Sequence, residues 1–108
     1  MKKKDFPTEI EARRHLDFHR ARCQARFRNE PWELTEEQWN VIWTLDRYQR
    51  RGRGEGELCI MRINPGMPWR ENNICVISRK LQLQIRNYMT RSKREYRHLF
   101  QQAEWINE

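Results

Sequence analysis

LCIMRINPGMPWRENNICVISRK, residues 58–80, decides the fold. Leu58 to Ile63 is apolar apart from Arg62 and reads as a strand. Asn64, Pro65 and Gly66 supply turn chemistry, and Pro68, Trp69 and residues 71–73 lengthen the connection. Ile74 to Ile77 is a second short strand, and Ser78 stands where a helix cap belongs. The stretch predicts a β-hairpin with a long loop that runs directly into a helix.

Upstream lies an Arg-Gly cluster. Gly52, Gly54 and Gly56 interrupt regular structure, and Arg47, Arg50, Arg51 and Arg53 surround them. Further back, Thr35 followed by Gln38 is a capping-box pattern, with Leu34 spaced to staple onto Trp39. This predicts a helix from Thr35 to about Tyr48, with Glu36 and Glu37 at its positive end. Thr8 and Glu11 form the same pattern and predict a first helix ending near Asn29, before Pro31. Its expected buried stripe is Ala12, Leu16, His19, Cys23 and Phe27, leaving Arg13, Arg14, Arg20, Arg22, Arg26 and Arg28 largely outside.

After Ser78 an apolar stripe continues through Leu81, Ile85 and Tyr88 or Met89 to Tyr96, Leu99, Phe100, Ala103 and Ile106. It permits one long helix or two helices bent near residues 90–92, and the capping pattern Ser92 to Glu95 favours a break. Arg79, Lys80, Arg86, Arg91, Lys93, Arg94 and Arg97 crowd this segment against one acid, Glu95. The expected fold class is α+β: two N-terminal helices, a ββ hairpin and a C-terminal helical segment. One domain is expected over residues 1–108, since 108 residues leave no room for two.

The net charge is +7, and arginine outnumbers lysine. Arginine presents a planar fork of donors and stacks on rings, so this balance favours phosphate partners, double-stranded DNA first. No strongly apolar face opposes the basic one, which argues against membrane binding. The three cysteines, Cys23, Cys59 and Cys75, form no metal-ligand spacing and fit a reducing compartment. The basic start, Met1 to Lys4, is followed by a polar run and not by a signal sequence, so the cytoplasm is the expected location.

His15 and His19 are spaced to share a helix face and hold a metal. Asp17 points elsewhere, Cys23 lies a turn further on, and no third ligand is evident, so no metal is expected there. His98 is isolated. Trp69, following Pro68 in the hairpin loop, is expected to pack over the core more than to stack on a base.

The residues Met61 to Gly66, Pro68 and Trp69, Arg70 to Asn73, Cys75 to Ile77 and Ser78 to Lys80 resemble a block found in small phage proteins of the HNH (His-Asn-His) endonuclease type. Arg51 to Arg53 upstream, Pro31 to Thr35, Gln38 and Trp39 extend the likeness over residues 31–87, between an N-terminal helix (residues 1–30) and a C-terminal helix (residues 88–108). The resemblance implies an HNH-like ββα core facing DNA. It also implies a general-base histidine near the end of the first strand and a metal ligand on the following helix. Neither is present: the strand end offers Arg62 and Asn64, the aspartate expected before the arginine is Met61, and the helix start offers Gln82 and Gln84. Asn73, or else Asn72, matches the central asparagine, which braces the loop in the family. A neutral amide takes no proton at pH 7, so catalytic residues are absent and Arg62, Asn64 and Asn73 stand as remnants. Glu57 and Glu71 are the only acids near them.

The expected function is a small, basic, non-catalytic nucleic-acid-binding protein of phage type. Its phosphate contacts would come from Arg47, Arg50, Arg51 and Arg53 of the loop and from Arg79, Lys80, Arg86, Arg91, Lys93 and Arg94 of the last helix. One alternative is a phage protein that binds and redirects a host protein, for which an exposed patch of Trp32, Trp39, Trp43 or Trp69 would be the anchor. The other is a metal-dependent endonuclease with a non-standard site, the one case requiring Mg2+ or Mn2+ as cofactor.

Overall fold

The computed structural model describes residues 8–92 and 96–107. Helices α1 (Glu9–Phe27), α2 (Glu36–Ile42) and α3 (Leu45–Gln49) lead into strand β1 (Leu58–Arg62). A short 3-10 turn, Glu71–Asn73, precedes strand β2 (Ile74–Ser78), which passes into helix α4 (Arg79–Asn87). A π turn, Tyr88–Ser92, a 3-10 segment, Arg97–Gln102, and strand β3 (Trp105–Ile106) complete the chain. The class is α+β. The three strands form an antiparallel sheet in the order β1-β2-β3, with Leu58 opposite Ser78, Arg62 opposite Ile74, and Val76 opposite Trp105.

Hydroxyl caps set the helix starts. Thr8 accepts from the Glu11 N–H at 3.2 Å and Ser78 from the Leu81 N–H at 3.2 Å. At α2 the full box forms: the Thr35 hydroxyl accepts from Gln38 N–H, and the Gln38 side chain accepts from Thr35 N–H. Leu34 and Trp39 lie together in the core as the staple requires. α1 is capped by Arg28 and followed by Asn29, whose φ of 59° is left-handed, a conformation asparagine tolerates. The Glu30 N–H then bonds to Ala25 O and the Asn29 N–H to Arg26 O, closing the last turn in a Schellman pattern.

Three expectations need correction. The second helix does not run unbroken to Tyr48: Trp43 leaves helical geometry and the Thr44 hydroxyl caps a new helix through Arg47 N–H. Arg47 stabilises the break, donating from Nε to Ile42 O at 2.7 Å and from Nη2 to Val41 O at 2.9 Å. The buried stripe of α1 is rotated from the expected one to Ala12, His15, Phe18 and Ala25, while Leu16 is 41% exposed and Phe27 90% exposed. Apolar residues occur around much of this helix, and the face that wins is the one that meets Trp32 and Trp39. The C-terminal segment breaks after α4, as the sequence pattern favours, but no second α-helix follows among the described residues. Tyr96, Leu99, Phe100, Ala103 and Ile106 do pack on the core, but from a 3-10 segment and a strand. The Ser92 to Glu95 capping pattern lies outside the described residues.

The sheet separates two apolar clusters. Leu58, Ile60, Ile74 and Val76 turn toward Phe18, Leu34, Trp39, Ile42 and Trp43. Cys59, Met61, Cys75 and Ile77 turn toward Leu81, Ile85 and Phe100. Arg14 ties α1 to α2 in both directions: its backbone carbonyl accepts from Trp39 Nε1 at 3.2 Å and its guanidinium donates to Trp43 O at 2.9 Å. Among the described residues no helix is long and apolar enough to cross a membrane.

Thr35→Ala removes one half of the α2 capping box. It should lower the unfolding free energy by about 1 kcal/mol, with Thr35→Asp retaining most of the stability, as read by urea denaturation.

Candidate nucleic-acid interface

A cleft of about 990 Å3 opens along the outer edge of the sheet. α1 forms one wall with Asp17, Arg20, Gln24 and Arg28; α4 forms the other with Arg79, Gln82 and Arg86. The Arg-Gly loop closes one end with Arg51, Gly52 and Arg53, and β1, Trp32 and Trp69 form the floor. Seven arginines line it: Arg20, Arg28, Arg51, Arg53, Arg62, Arg79 and Arg86, against two acids, Asp17 and Glu30.

Both acids are already engaged. Asp17 accepts from the Tyr48 hydroxyl at 2.5 Å and from Arg51 at 3.1 Å, with Arg20 3.6 Å away. Burial and the Asp17 carboxylate push the Tyr48 phenol up to about 12. Glu30 accepts from Arg28 at 3.2 Å, Arg62 at 3.0 Å and Trp69 Nε1 at 3.0 Å. Burial would raise the Glu30 carboxyl, but the Trp69 and Arg28 hydrogen bonds and the nearby Arg62 outweigh it and hold it below its ordinary value. Arg51 also lies over the Trp43 ring and Arg62 over Trp69, at 5.6 and 5.3 Å. Arg79 is bonded to Gln82. Arg53 and Arg86 have no side-chain partner among the described residues, and both are exposed.

The expected phosphate-contacting residues therefore divide. Arg51, Arg53, Arg79 and Arg86 converge on the cleft. Arg47 caps α2, Arg50 pairs with Glu104 at 2.6 Å, and exposed Lys80 lies off the cleft. Lys93 and Arg94 lie outside the described residues, as does the side chain of Arg91. Arg20 and Arg28 were not singled out in the sequence. The only signal for them was that they lie off the apolar stripe of a helix that the chain brings alongside β1.

The Arg-Gly loop is folded, and Gly52 and Gly54 serve an internal purpose. The Glu57 carboxylate lies where a β-carbon on Gly52 would stand and accepts from the Gly54 N–H at 2.8 Å. Carbonyls of Glu55 and Glu57 accept from the Lys80 and Arg79 N–H groups, so the loop occupies the start of α4. A phosphate reaching this region meets side chains, not free backbone N–H groups.

Arg62, Asn64 and Asn73 serve the structure of the hairpin and its loop. Asn73, 7% exposed, donates from Nδ2 to Asn64 O at 3.0 Å and to Pro68 O at 2.9 Å, while its Oδ1 accepts from Asn64 N–H at 2.9 Å. Asn64 in turn accepts from Gly66 N–H through its own Oδ1 at 2.9 Å. Asn73 and not exposed Asn72 is thus the loop brace. Arg62 is held by Glu30 and Met67 O. Trp69 is half-buried against the first cluster, as expected, and its backbone joins Pro31 and Glu33, strapping the lead-in segment to the hairpin loop.

A separate cluster joins α1 and α2: His15, His19 and Glu36 bring their ligand atoms within 4.8 Å of one another. Glu36 is the third group that sequence spacing did not reveal. No family model, curated protein or solved structure matches the chain.

Asn73→Ala leaves the Asn64 amide and the Pro68 carbonyl without partners, while the Asn64 carbonyl keeps the Met67 N–H, and should cost about 2 kcal/mol in chemical denaturation. Glu30, with its carboxyl held low in the folded chain, contributes stability above the ordinary glutamate range that is lost as pH falls through its folded value. Glu30→Gln should flatten that part of the acid unfolding curve followed by circular dichroism.

Proposed function

We propose that the chain is a small, non-catalytic nucleic-acid-binding protein of phage type that holds the phosphate backbone of double-stranded DNA in the arginine cleft. The carrying observation is the lining itself: seven arginines converge there, and the two acids present are each shared between arginines. Arg53 and Arg86, which have no side-chain partner among the described residues, supply exposed guanidinium groups at the loop and α4 ends. Arg51, Arg62 and Arg79 are held by neighbours and so are pre-positioned, which lowers the ordering cost of a phosphate contact. Phosphate contacts of this kind give affinity with little sequence preference.

In this reading the hairpin, the Asn73-braced loop and α4 are an HNH-like ββα unit kept as a scaffold. The positions where the family carries a base and metal ligands hold Arg62, Asn64 and Gln82, and Arg62 and Asn64 are spent on loop structure. Mg2+ or Mn2+ has no role in it. The cytoplasm of a bacterial host, where Cys23, Cys59 and Cys75 remain thiols, is the location that goes with it.

A second reading, binding of a host protein, is favoured by one feature. β1 is the outer strand of the sheet and lines the cleft, and such an edge accepts an extended segment of a partner. The aromatic patch that would favour it more strongly does not form, because Trp39 and Trp43 are fully buried and Trp32 and Trp69 pack on the core.

Fluorescence anisotropy with labelled duplex DNA tests the proposal. Six or more phosphate contacts should weaken binding by roughly 10³-fold or more between about 50 and 200 mM salt. Arg53→Glu and Arg86→Glu should each weaken binding well beyond Lys80→Glu, which carries the same charge change outside the cleft. Equal losses in all three would replace the cleft by a diffuse charge effect. No binding at low salt would turn the reading to the host protein, and plasmid nicking with Mg2+ or Mn2+ would replace it by the nuclease.

A further inference from the structure

We propose that His15, His19 and Glu36 form a transition-metal site, suited to Zn2+, that clamps α1 to the start of α2. The two histidines stand four positions apart, so consecutive turns of α1 present both rings on one side, with centroids 4.5 Å apart. Glu36 is the first residue of α2, and the Thr35 capping box fixes where that helix begins. The chain thereby brings a carboxylate to the imidazole pair: Glu36 Oε2 lies 2.5 Å from His15 Nδ1. His15 is buried against the packed face of α1, which holds its ring in place.

The donor set selects the cation class. Two imidazoles and one carboxylate suit Zn2+ and its neighbours, with a fourth position left for water. Mg2+ and Ca2+ favour more oxygen ligands than this cluster has. Metal–ligand bonds of about 2 Å require the His15–Glu36 pair to open around the ion. The Glu36 side chain, 33% exposed, has the freedom to do so. Arg22 opposes binding, since its Nη2 lies 3.1 Å from His19 Nδ1 and brings a positive charge to the site. Leu16 follows His15 where zinc-dependent hydrolases of the His-Glu-x-x-His type carry their general base. The ion's role is therefore structural, fixing the wall of the cleft that carries Arg20 and Arg28.

The test is titration of the full chain with Zn2+ against a chromophoric chelator, paired with Co2+ absorption and thermal melts. The expected result is one Zn2+ per chain, the intense visible bands of four-coordinate Co2+, and a melting midpoint that rises with Zn2+. His19→Ala and Glu36→Gln should each weaken binding by more than about 100-fold, since losing even a supporting partner of a ligand costs up to that much. Arg22→Gln should tighten binding, which separates a metal site from a variant that merely unfolds. Cys23→Ser should leave affinity unchanged. The proposal is overturned by absence of saturable one-to-one binding, by binding that survives both His19→Ala and Glu36→Gln, or by binding lost only in Cys23→Ser.

Discussion

Burial of β2 on both faces is the constraint on which the rest of the structure depends. Ile74, Cys75, Val76 and Ile77 are all wholly inaccessible, though neighbours in a strand point to opposite sides. Each such side chain is worth about 1.5–3 kcal/mol in burial, but only if an apolar layer covers its side. α1, α2 and their tryptophans cover one face; α4, Phe100 and the C-terminal segment cover the other. β3 takes one edge of β2 and β1 takes the other. What remains open is the outer edge of β1 beyond Leu58, whose own outer groups bond to Arg50 and Gly52, with a helical layer rising on either side of it. The cleft is therefore a consequence of the layering and needs no feature of its own to form.

Its charge follows from the same geometry. Arg20 of α1 and Arg28 just past its end face Arg79 and Arg86 of α4 across β1. Seven guanidinium groups in one cleft would repel strongly without compensation. Asp17 and Glu30 supply it, each bridging arginines that come from different parts of the chain: Asp17 links Arg20 to Arg51, and Glu30 links Arg28 to Arg62. The aromatic rings beneath add a second, uncharged form of support at Trp43 and Trp69. Surface ion pairs of this kind contribute little stability singly. Their effect is positional: they hold α1, the Arg-Gly loop and β1 in a fixed relation.

Local rules were legible in the sequence where a local interaction decides the outcome. Thr8, Thr35 and Ser78 cap as their spacing indicates, the Leu34 and Trp39 staple forms, and α1 ends near Asn29. The hairpin and its register follow from two apolar runs and a turn. What stayed hidden depends on a partner distant in the chain. Which face of α1 is buried is chosen by Trp32 and Trp39, so His15 goes inside and Phe27 outside against the expected stripe. The break at Thr44 was not legible, because apolar residues continue on both sides of it. β3 is two residues long and has no period to read. The cleft joins residues on four elements, and Glu36 joins the histidines from a different helix.

The arginines show why composition alone is a weak guide to an interface. A loop with four arginines reads as a phosphate-binding loop, yet two of the four act within the fold: Arg47 satisfies the last carbonyls of α2 and Arg50 pairs with Glu104 near the start of β3. Gly52 and Gly54 of the same loop accommodate the Glu57 side chain. Meanwhile two arginines from a helix with no apparent role join the cleft. An arginine has five donors and a long apolar stem, so a short chain with a thin core can use it to cap helices, cover rings and bridge elements. Only after those internal uses are subtracted does the remaining positive charge describe a surface, and among the described residues Arg53 and Arg86 are what remains of it beside β1.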